Sequence, residues 1–158
     1  MYTLVYTTYR LSTCVYLYAD KGGHIEANES AKDAAFREFY EEIGINTGNI
    51  HYLGHGETLP AITGTLVTPI IAYLEDDVYD FEKCTPSEDE VDQIFTISLD
   101  TLLSPGYRKT EIFSRNDSST YAFPYYGVKG DVQCIWGLTG LVLDAFLREA
   151  VVYDQNMS

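Results

Sequence analysis

The chain has 158 residues, of which 46% are hydrophobic and 14% are aromatic, and this composition is typical of a folded globular domain rather than a disordered segment. It carries 10 Lys and Arg against 24 Asp and Glu, a formal net charge of −14, which excludes a broad basic surface for nucleic acid. The length predicts a single domain over residues 1–158.

The first half of the chain predicts strands around one helix. Segments 2–9 and 13–18 are rich in Tyr, Thr and Val and predict strands. Asn28 is the predicted cap of a helix from Glu29 to about Ile43, and Gly44 is its predicted stop. Further strands are predicted over 50–55 and 65–74, and Pro69 indicates an edge or a bulge in the second of them.

The second half begins with an acidic, turn-prone stretch at 75–90 that predicts an exposed loop. A strand within 91–99 and a short helical turn at 99–103 follow, and 104–120 is predicted to be a polar loop. After an aromatic cluster at 121–126, apolar residues at helical spacing predict a C-terminal helix over about 137–151. Together these elements predict a mixed α+β domain.

The cysteines and the apolar segments indicate where in the cell the protein is expected. Cys14, Cys84 and Cys134 lack the paired spacing of a metal site, and we expect reduced thiols in an intracellular protein. No apolar run approaches the roughly 20 residues that span a bilayer. Mitochondrial, peroxisomal and cytoplasmic locations all stay open, although the last three residues are not an S-K-L address.

Three acidic residues of the predicted mid-chain helix share one face. Glu38, Glu41 and Glu42 stand at i, i+3 and i+4, and grouped carboxylates suit Mg²⁺ or Mn²⁺ together with substrate phosphate oxygens. A solvated acidic face is the alternative interpretation. Gly23 before the helix allows close approach of a ligand to the backbone, and Arg37 can orient a carboxylate through a two-pronged hydrogen bond. These features favour metal-assisted hydrolysis of a phosphate ester or anhydride.

Residues 23–45, GHIEANESAKDAAFREFYEEIGI, match the box of the Nudix hydrolases, G-x5-E-x7-R-E-U-x-E-E-x-G-U, where U is a bulky apolar residue. The fixed positions are all present: Gly23, Glu29, Arg37, Glu38, Phe39, Glu41, Glu42, Gly44 and Ile45. The chain therefore resembles the Nudix superfamily. This resemblance implies an α/β/α sandwich around a mixed sheet and hydrolysis of a nucleoside diphosphate linked to another group.

The resemblance also implies a role for each box residue. Glu38 and Glu42 would be the principal metal ligands, and Glu41 a further ligand or the base that activates water. Arg37 and Glu29 would position these carboxylates. Gly23 would contribute backbone contacts near the metal.

Three segments outside the box look like the coenzyme A diphosphatase branch of the superfamily. They are LPAITGTLVTPIIAYL at 59–74, SEDEVDQIFTISLDTLL at 87–103 and IWGLTGLVLDAFL at 135–147. This branch splits coenzyme A or its acyl esters into 3′,5′-ADP and a phosphopantetheine. A small-molecule nucleotide of this type is thus the expected partner, and the oligomeric state stays open.

The branch carries a second signature before the box, about L-L-T-x-R-[SA]-x3-R-x3-G-x3-F-P-G-G, and here it is incomplete. Thr8-Tyr9-Arg10 fits its T-x-R part, but 20–23 read D-K-G-G instead of F-P-G-G. We therefore expect a truncated or divergent N-terminal part. Two alternatives stay open: another nucleoside diphosphate such as NADH or ADP-ribose as substrate, and a catalytically impaired nucleotide-binding variant.

Several other residues have a functional and a structural interpretation. Arg108 and Lys109 could meet a 3′-phosphate, and the aromatic residues of 121–126 could stack an adenine or simply pack in a sheet. Trp136, at the start of an apolar helix, could contact a ligand but is expected in the core. Asp89, Glu90 and Asp92 lie where some Nudix enzymes place an extra base, although an acidic turn is usually just solvated.

Overall fold

A computed structural model describes residues 4–6, 27–44, 48, 50–61, 64–74, 85–87, 94–114 and 119–151. The chain divides into two units, Met1–Ile97 and Ser98–Ser158. Each unit combines helix with paired strands, so the predicted mixed α+β class is confirmed. The predicted strand at 13–18 and most of the predicted acidic loop at 75–90 lie outside the described residues. Within the described residues, no helix is long and apolar enough to cross a membrane.

The first unit contains one described helix, α1, at Ala31–Ile43. Ser30, rather than the predicted Asn28, is its N-cap, since the Ser30 hydroxyl accepts a hydrogen bond from the backbone N–H of Asp33 at 3.2 Å. Asn28 instead has a positive φ of 74°. The helix ends as predicted at Gly44, which has a left-handed φ of 77° and donates its backbone N–H to the Tyr40 carbonyl.

The described strands of the first unit form three separate pairs. A parallel pair joins β1 (Leu4–Tyr6) to β6 (Ile94–Thr96). An antiparallel pair joins β2 (Ile50–His55) to β5 (Ile70–Leu74), and a short antiparallel pair joins β3 (Leu59–Pro60) to β4 (Leu66–Val67). The strand predicted over 65–74 is therefore two strands, interrupted at Thr68 and Pro69 because proline cannot donate to a ladder.

Helix α1 packs its apolar face against β5. Ala35, Phe39 and Ile43, which lie on one side of the helix, are buried, and Phe36 is half-buried. Strand residues and their neighbours complete the described core of this unit: Val67, Ile70, Ala72, Phe95 and Ile97. The packing fixes which side of α1 faces the sheet and hence where the flanking carboxylates lie.

The second unit begins with α2 at Leu99–Leu103, where the sequence predicts a helical turn. A hairpin follows, β7 (Arg108–Ser114) paired antiparallel with β8 (Thr120–Tyr126). The expectation of a loop over 104–120 is therefore wrong for 108–114. Most of β7 is exposed, so its sequence lacks the apolar alternation that marks a half-buried strand.

The C-terminal helix α3, Gly137–Phe146, continues into a π-helical turn at Leu147–Val151, which agrees with the predicted span. It packs on β8 at Gly140, where an added Cβ would lie 2.7 Å from the Pro124 carbonyl oxygen. Only glycine allows the helix to approach the strand this closely. Ile135 and Leu143 are fully buried in the core of this unit.

Candidate active site

Arg37 is the centre of an ion-pair cluster on α1. Its Nε donates to Oε1 of Glu29 at 3.0 Å, and its Nη2 donates to Oε2 of the same carboxylate at 3.1 Å. This is the bidentate geometry in which a guanidinium fixes both oxygens of a carboxylate. Glu29 lies just before the helix, so Arg37 ties the chain that enters α1 to the middle of the helix.

The same guanidinium also contacts two other box carboxylates. Its Nη1 donates to Oε2 of Glu41 at 3.1 Å, and its Nη2 lies 3.5 Å from Oε1 of Glu38. One cation therefore lies among three negative charges. Arg37 therefore reduces their mutual repulsion and restricts their rotamers.

The three predicted metal ligands lie in two different environments. Glu38 and Glu42 are both only 8% exposed, whereas the side chain of Glu41 is 56% exposed and is ion-paired to Arg37. Glu38 and Glu42 stand one helical turn apart and are neighbours on the helix surface. Glu38 and Glu42 are thus buried on one side of α1, whereas Glu41 is exposed to solvent.

The position of these carboxylates along α1 is electrostatically unfavourable for the isolated helix. Glu41 and Glu42 lie in its last turn, where the helix dipole already presents partial negative charge, and this described turn contains no basic residue. Burial of Glu38 and Glu42 adds a desolvation cost. A bound cation would offset both costs.

A divalent ion fits this donor set, although the described residues do not form a complete cage. Among them, no three His, Cys, Asp or Glu side chains are grouped so that they could hold a metal ion. Mg²⁺ typically takes one or two protein carboxylates and completes its coordination with water and substrate phosphates. Glu38 and Glu42 meet that requirement. Four other predicted site residues lie outside the described part of the chain: Gly23, Asp89, Glu90 and Asp92.

A contact that the sequence did not predict holds the C-terminal end of α1. The backbone N–H of Ser87 donates to the carbonyl of Glu42 at 2.7 Å. Thr85 lies against Gly44, where an added Cβ would come within 2.3 Å of the Thr85 hydroxyl oxygen. Local sequence patterns hold no signal for this pairing, because its partners lie far apart along the chain.

The second unit contains a cluster around Asp144 that the sequence did not predict either. Asp144, on α3, accepts hydrogen bonds from Arg108 Nε, from Arg108 Nη2 at 3.2 Å, from the Tyr126 hydroxyl at 2.8 Å and from Arg148 Nε at 2.8 Å. The cluster joins β7, β8 and α3. Arg108 is therefore engaged by a buried carboxylate, and its contact with a 3′-phosphate stays a prediction.

Burial and hydrogen bonding act in opposite directions on Asp144. Burial alone would raise its pKa, but the hydrogen bonds from Arg108, Tyr126 and Arg148 outweigh it and hold the pKa below its ordinary value. The same contacts raise the pKa of Arg108, mainly through the hydrogen bond to Asp144. Burial, reinforced by that carboxylate, raises the pKa of Tyr126 far above its usual range. Asp144, Arg108 and Tyr126 therefore keep their usual protonation at neutral pH.

The aromatic residues of the hairpin lie in different environments. Tyr126 is buried, while Phe123 has the Phe113 ring at 5.6 Å edge-to-face and the Tyr121 ring at 6.5 Å, and both of those neighbours are exposed. Packing within the sheet, rather than adenine stacking, therefore explains the presence of an aromatic residue at Tyr126. Trp136 is 68% exposed, so the expectation that it lies in the core is wrong: it is the N-cap residue of α3, before the buried face begins.

Comparison with known proteins identifies the family. The sequence model of the NUDIX domain matches residues 14–116. The chain is 28% identical to Nudix hydrolase 3 of Caenorhabditis elegans over 140 residues, which cover 77% of this chain and 55% of that protein. It is 29% identical to an uncharacterized Nudix hydrolase, NudL, of Escherichia coli K12 over 133 residues, covering 82% of this chain and 65% of the relative. The NudL protein of Citrobacter koseri is 27% identical over the same coverage.

These relatives are longer than the chain. The matched region spans between about half and two thirds of their length. The similarity includes the box helix, since the family match extends from residue 14 to residue 116.

Proposed function

Because the chain belongs to the Nudix family, we propose that it is a divalent-ion-dependent hydrolase that cleaves the diphosphate bridge of a nucleotide derivative. One observation carries this proposal: Glu38 and Glu42 are buried one turn apart on α1, beside an arginine that orders the neighbouring carboxylates. Burial of two acids on one helix has a desolvation cost, which a bound cation would lower.

We assign the roles as follows. Glu38 and Glu42 hold Mg²⁺ or Mn²⁺, which when bound neutralises negative charge on the diphosphate oxygens. Glu41 is exposed and can act as a further ligand or take the proton of the attacking water once it leaves Arg37. Arg37 and Glu29 position these groups. Gly23 contributes backbone contacts, as the box pattern implies.

The proposed reaction is a simple hydrolysis. Water forms a bond to one phosphorus of the diphosphate, and the bond from that phosphorus to the bridging oxygen breaks. A proton goes from the water to a base, and the other phosphate leaves with the bridging oxygen. The box carboxylates serve this step by holding charge and proton at fixed places.

For the substrate we propose coenzyme A or an acyl-coenzyme A, with 3′,5′-ADP and (acyl)phosphopantetheine as products. The support is the similarity of segments 59–74, 87–103 and 135–147 to the coenzyme A diphosphatase branch. The net charge of −14 favours a small anion held at a metal over nucleic acid as partner. The buried free thiol of Cys134 supports an intracellular setting.

A specific observation also favours a second substrate class. Residues 20–23 read D-K-G-G, where the coenzyme A branch has F-P-G-G. A changed lead segment can alter specificity and leave the metal-binding helix intact. NADH or ADP-ribose is therefore the second candidate, and a nucleotide-binding protein without turnover is the third.

Product analysis by mass spectrometry tests these assignments. Purified protein is incubated with coenzyme A, acetyl-coenzyme A, NADH or ADP-ribose, with Mg²⁺, with Mn²⁺ or with a chelator. We expect 3′,5′-ADP from coenzyme A only when a divalent ion is present. A preference for NADH would establish the second candidate, and the absence of any product from folded protein would refute the enzymatic proposal.

Variants of α1 make the same test specific to the site. We expect Glu42→Gln to lower kcat by about 100-fold or more, since the charge that holds the ion is worth several kcal/mol in the transition state. Glu57→Gln is the matched control, because Glu57 is exposed and lies outside α1. Full activity in Glu42→Gln would contradict the assigned role.

A further inference from the structure

The C-terminal end of α1 contains a tertiary contact that bears on Glu42. A helix leaves its last four carbonyls without partners inside the helix. Here Gly44 satisfies the carbonyl of Tyr40, and the N–H of Ser87 satisfies that of Glu42 at 2.7 Å. The residue that carries one of the two buried carboxylates is thus held through its backbone by a distant segment.

A second contact of the same segment is steric. Gly44 has a φ of 77°, and the space that a Cβ would occupy there is filled by Thr85, with the hydroxyl oxygen at 2.3 Å, the carbonyl oxygen at 3.1 Å and the amide nitrogen at 3.3 Å. The glycine therefore serves two purposes. It ends the helix in a left-handed conformation and allows Thr85 to approach the helix end.

From these two contacts we propose that Thr85–Ser87 is a positioning segment for the proposed hydrolase, which fixes the last turn of α1 and thereby the carboxylate of Glu42. This inference rests on the proposed function. The physical reason is that a frayed last turn would let Glu42 move relative to Glu38, one turn earlier. Displacements of about 1 Å can cost about 100-fold in rate.

The test at Ser87 separates the backbone donor from the side chain. Ser87→Pro removes the N–H, and Ser87→Ala keeps it. We expect Ser87→Pro to lower kcat by about 10- to 100-fold with KM within about twofold, and to raise the Mg²⁺ concentration at half-maximal activity. Ser87→Ala should match the parent protein in all three quantities.

The test at Gly44 separates steric approach from backbone strain. Gly44→Ala introduces both, whereas Gly64→Ala introduces strain alone, since Gly64 has a φ of 87° and nothing lies within 4 Å of the position that its Cβ would take. We expect both variants to lose stability from the strained φ. Only Gly44→Ala should also lower kcat and weaken the response to Mg²⁺.

The melting temperature gives a measure of ion binding that does not depend on turnover. The rise in melting temperature on addition of MgCl2, relative to KCl at equal ionic strength, reports ion binding directly. We expect a smaller rise for Ser87→Pro and Gly44→Ala than for their controls. If these variants melt earlier but keep the parent kcat and Mg²⁺ response, the segment is only structural and the proposal is wrong. A parent protein that hydrolyses no substrate would instead refute the proposed function.

Discussion

Arg37 shows how a single residue organises the candidate site. It is the donor of two parallel hydrogen bonds to Glu29 and of one to Glu41, and it also lies beside Glu38. Lysine carries the same charge but lacks the planar fork, so it can neutralise these carboxylates and cannot align them. Replacing Arg37 with lysine therefore separates the effect of its charge from the effect of its hydrogen-bond geometry.

We expect Arg37→Lys to lower the free energy of unfolding by about 1–2 kcal/mol, toward the low end for hydrogen bonds between charged groups because Arg37 and Glu41 are partly exposed. It should also lower kcat by at least about tenfold, because the carboxylates lose their alignment. Urea unfolding and steady-state kinetics measure the two effects. Lys32→Gln is the control, since Lys32 forms an exposed pair with Asp33 on the same helix and such pairs contribute little. Parent-like stability and kcat in Arg37→Lys would show that its geometry is unimportant.

At the scale of elements, the local sequence predicts features that depend on neighbouring residues, but not those that depend on residues far apart in the chain. The helix end at Gly44, strand β2 and helix α2 follow from residues close together in the chain. The sequence of β7 does not predict a strand, because its exposed residues acquire strand structure only by pairing with β8. For the same reason no local pattern indicates the contact between Ser87 and Glu42. The box pattern indicates that Arg37 can orient a carboxylate, but it does not predict the contrast between the buried Glu42 and the exposed Glu41.

The Asp144 cluster ties three elements of the second unit together. Arg108 comes from β7, Tyr126 from β8, and Asp144 from α3. Because the pKa of folded Asp144 lies below its ordinary value of 3.8, its charge stabilises the fold above that pH. This contribution is lost as the pH falls through the folded pKa.

We expect Asp144→Asn to lower the free energy of unfolding by about 2–3 kcal/mol at neutral pH, less than for a fully buried pair because Arg108 is partly exposed. The difference from the parent protein should be constant above about pH 5 and should shrink in more acidic solution. Urea unfolding across this pH range measures it. Asp100→Asn, at an exposed position in the first turn of α2, should change stability by no more than about 0.5 kcal/mol. A difference that does not shrink in acid would mean that the charge of Asp144 is not what stabilises the cluster.

At the scale of the whole molecule, the net charge of −14 complicates any test of ion binding. Charges of one sign repel one another in the compact state, and any salt screens this repulsion. A rise in stability with Mg²⁺ alone would therefore not establish a site. The informative quantity is the stabilisation by MgCl2 minus the stabilisation by KCl at equal ionic strength, which we call the Mg²⁺-specific excess.

We expect that excess to be about 1.4 kcal/mol when Mg²⁺ is at about ten times its dissociation constant, as for one site that exists only in the folded protein. The double variant Glu38→Gln/Glu42→Gln should abolish it, because the two carboxylates are the proposed ligands. Glu57→Gln/Asp100→Asn removes the same number of negative charges from exposed positions, so it changes the general electrostatics equally and should keep the excess. Melting curves of the three proteins measure it. If the double variant of α1 keeps the full excess, Mg²⁺ stabilises the molecule through its overall charge, and the buried pair on α1 is not its binding site.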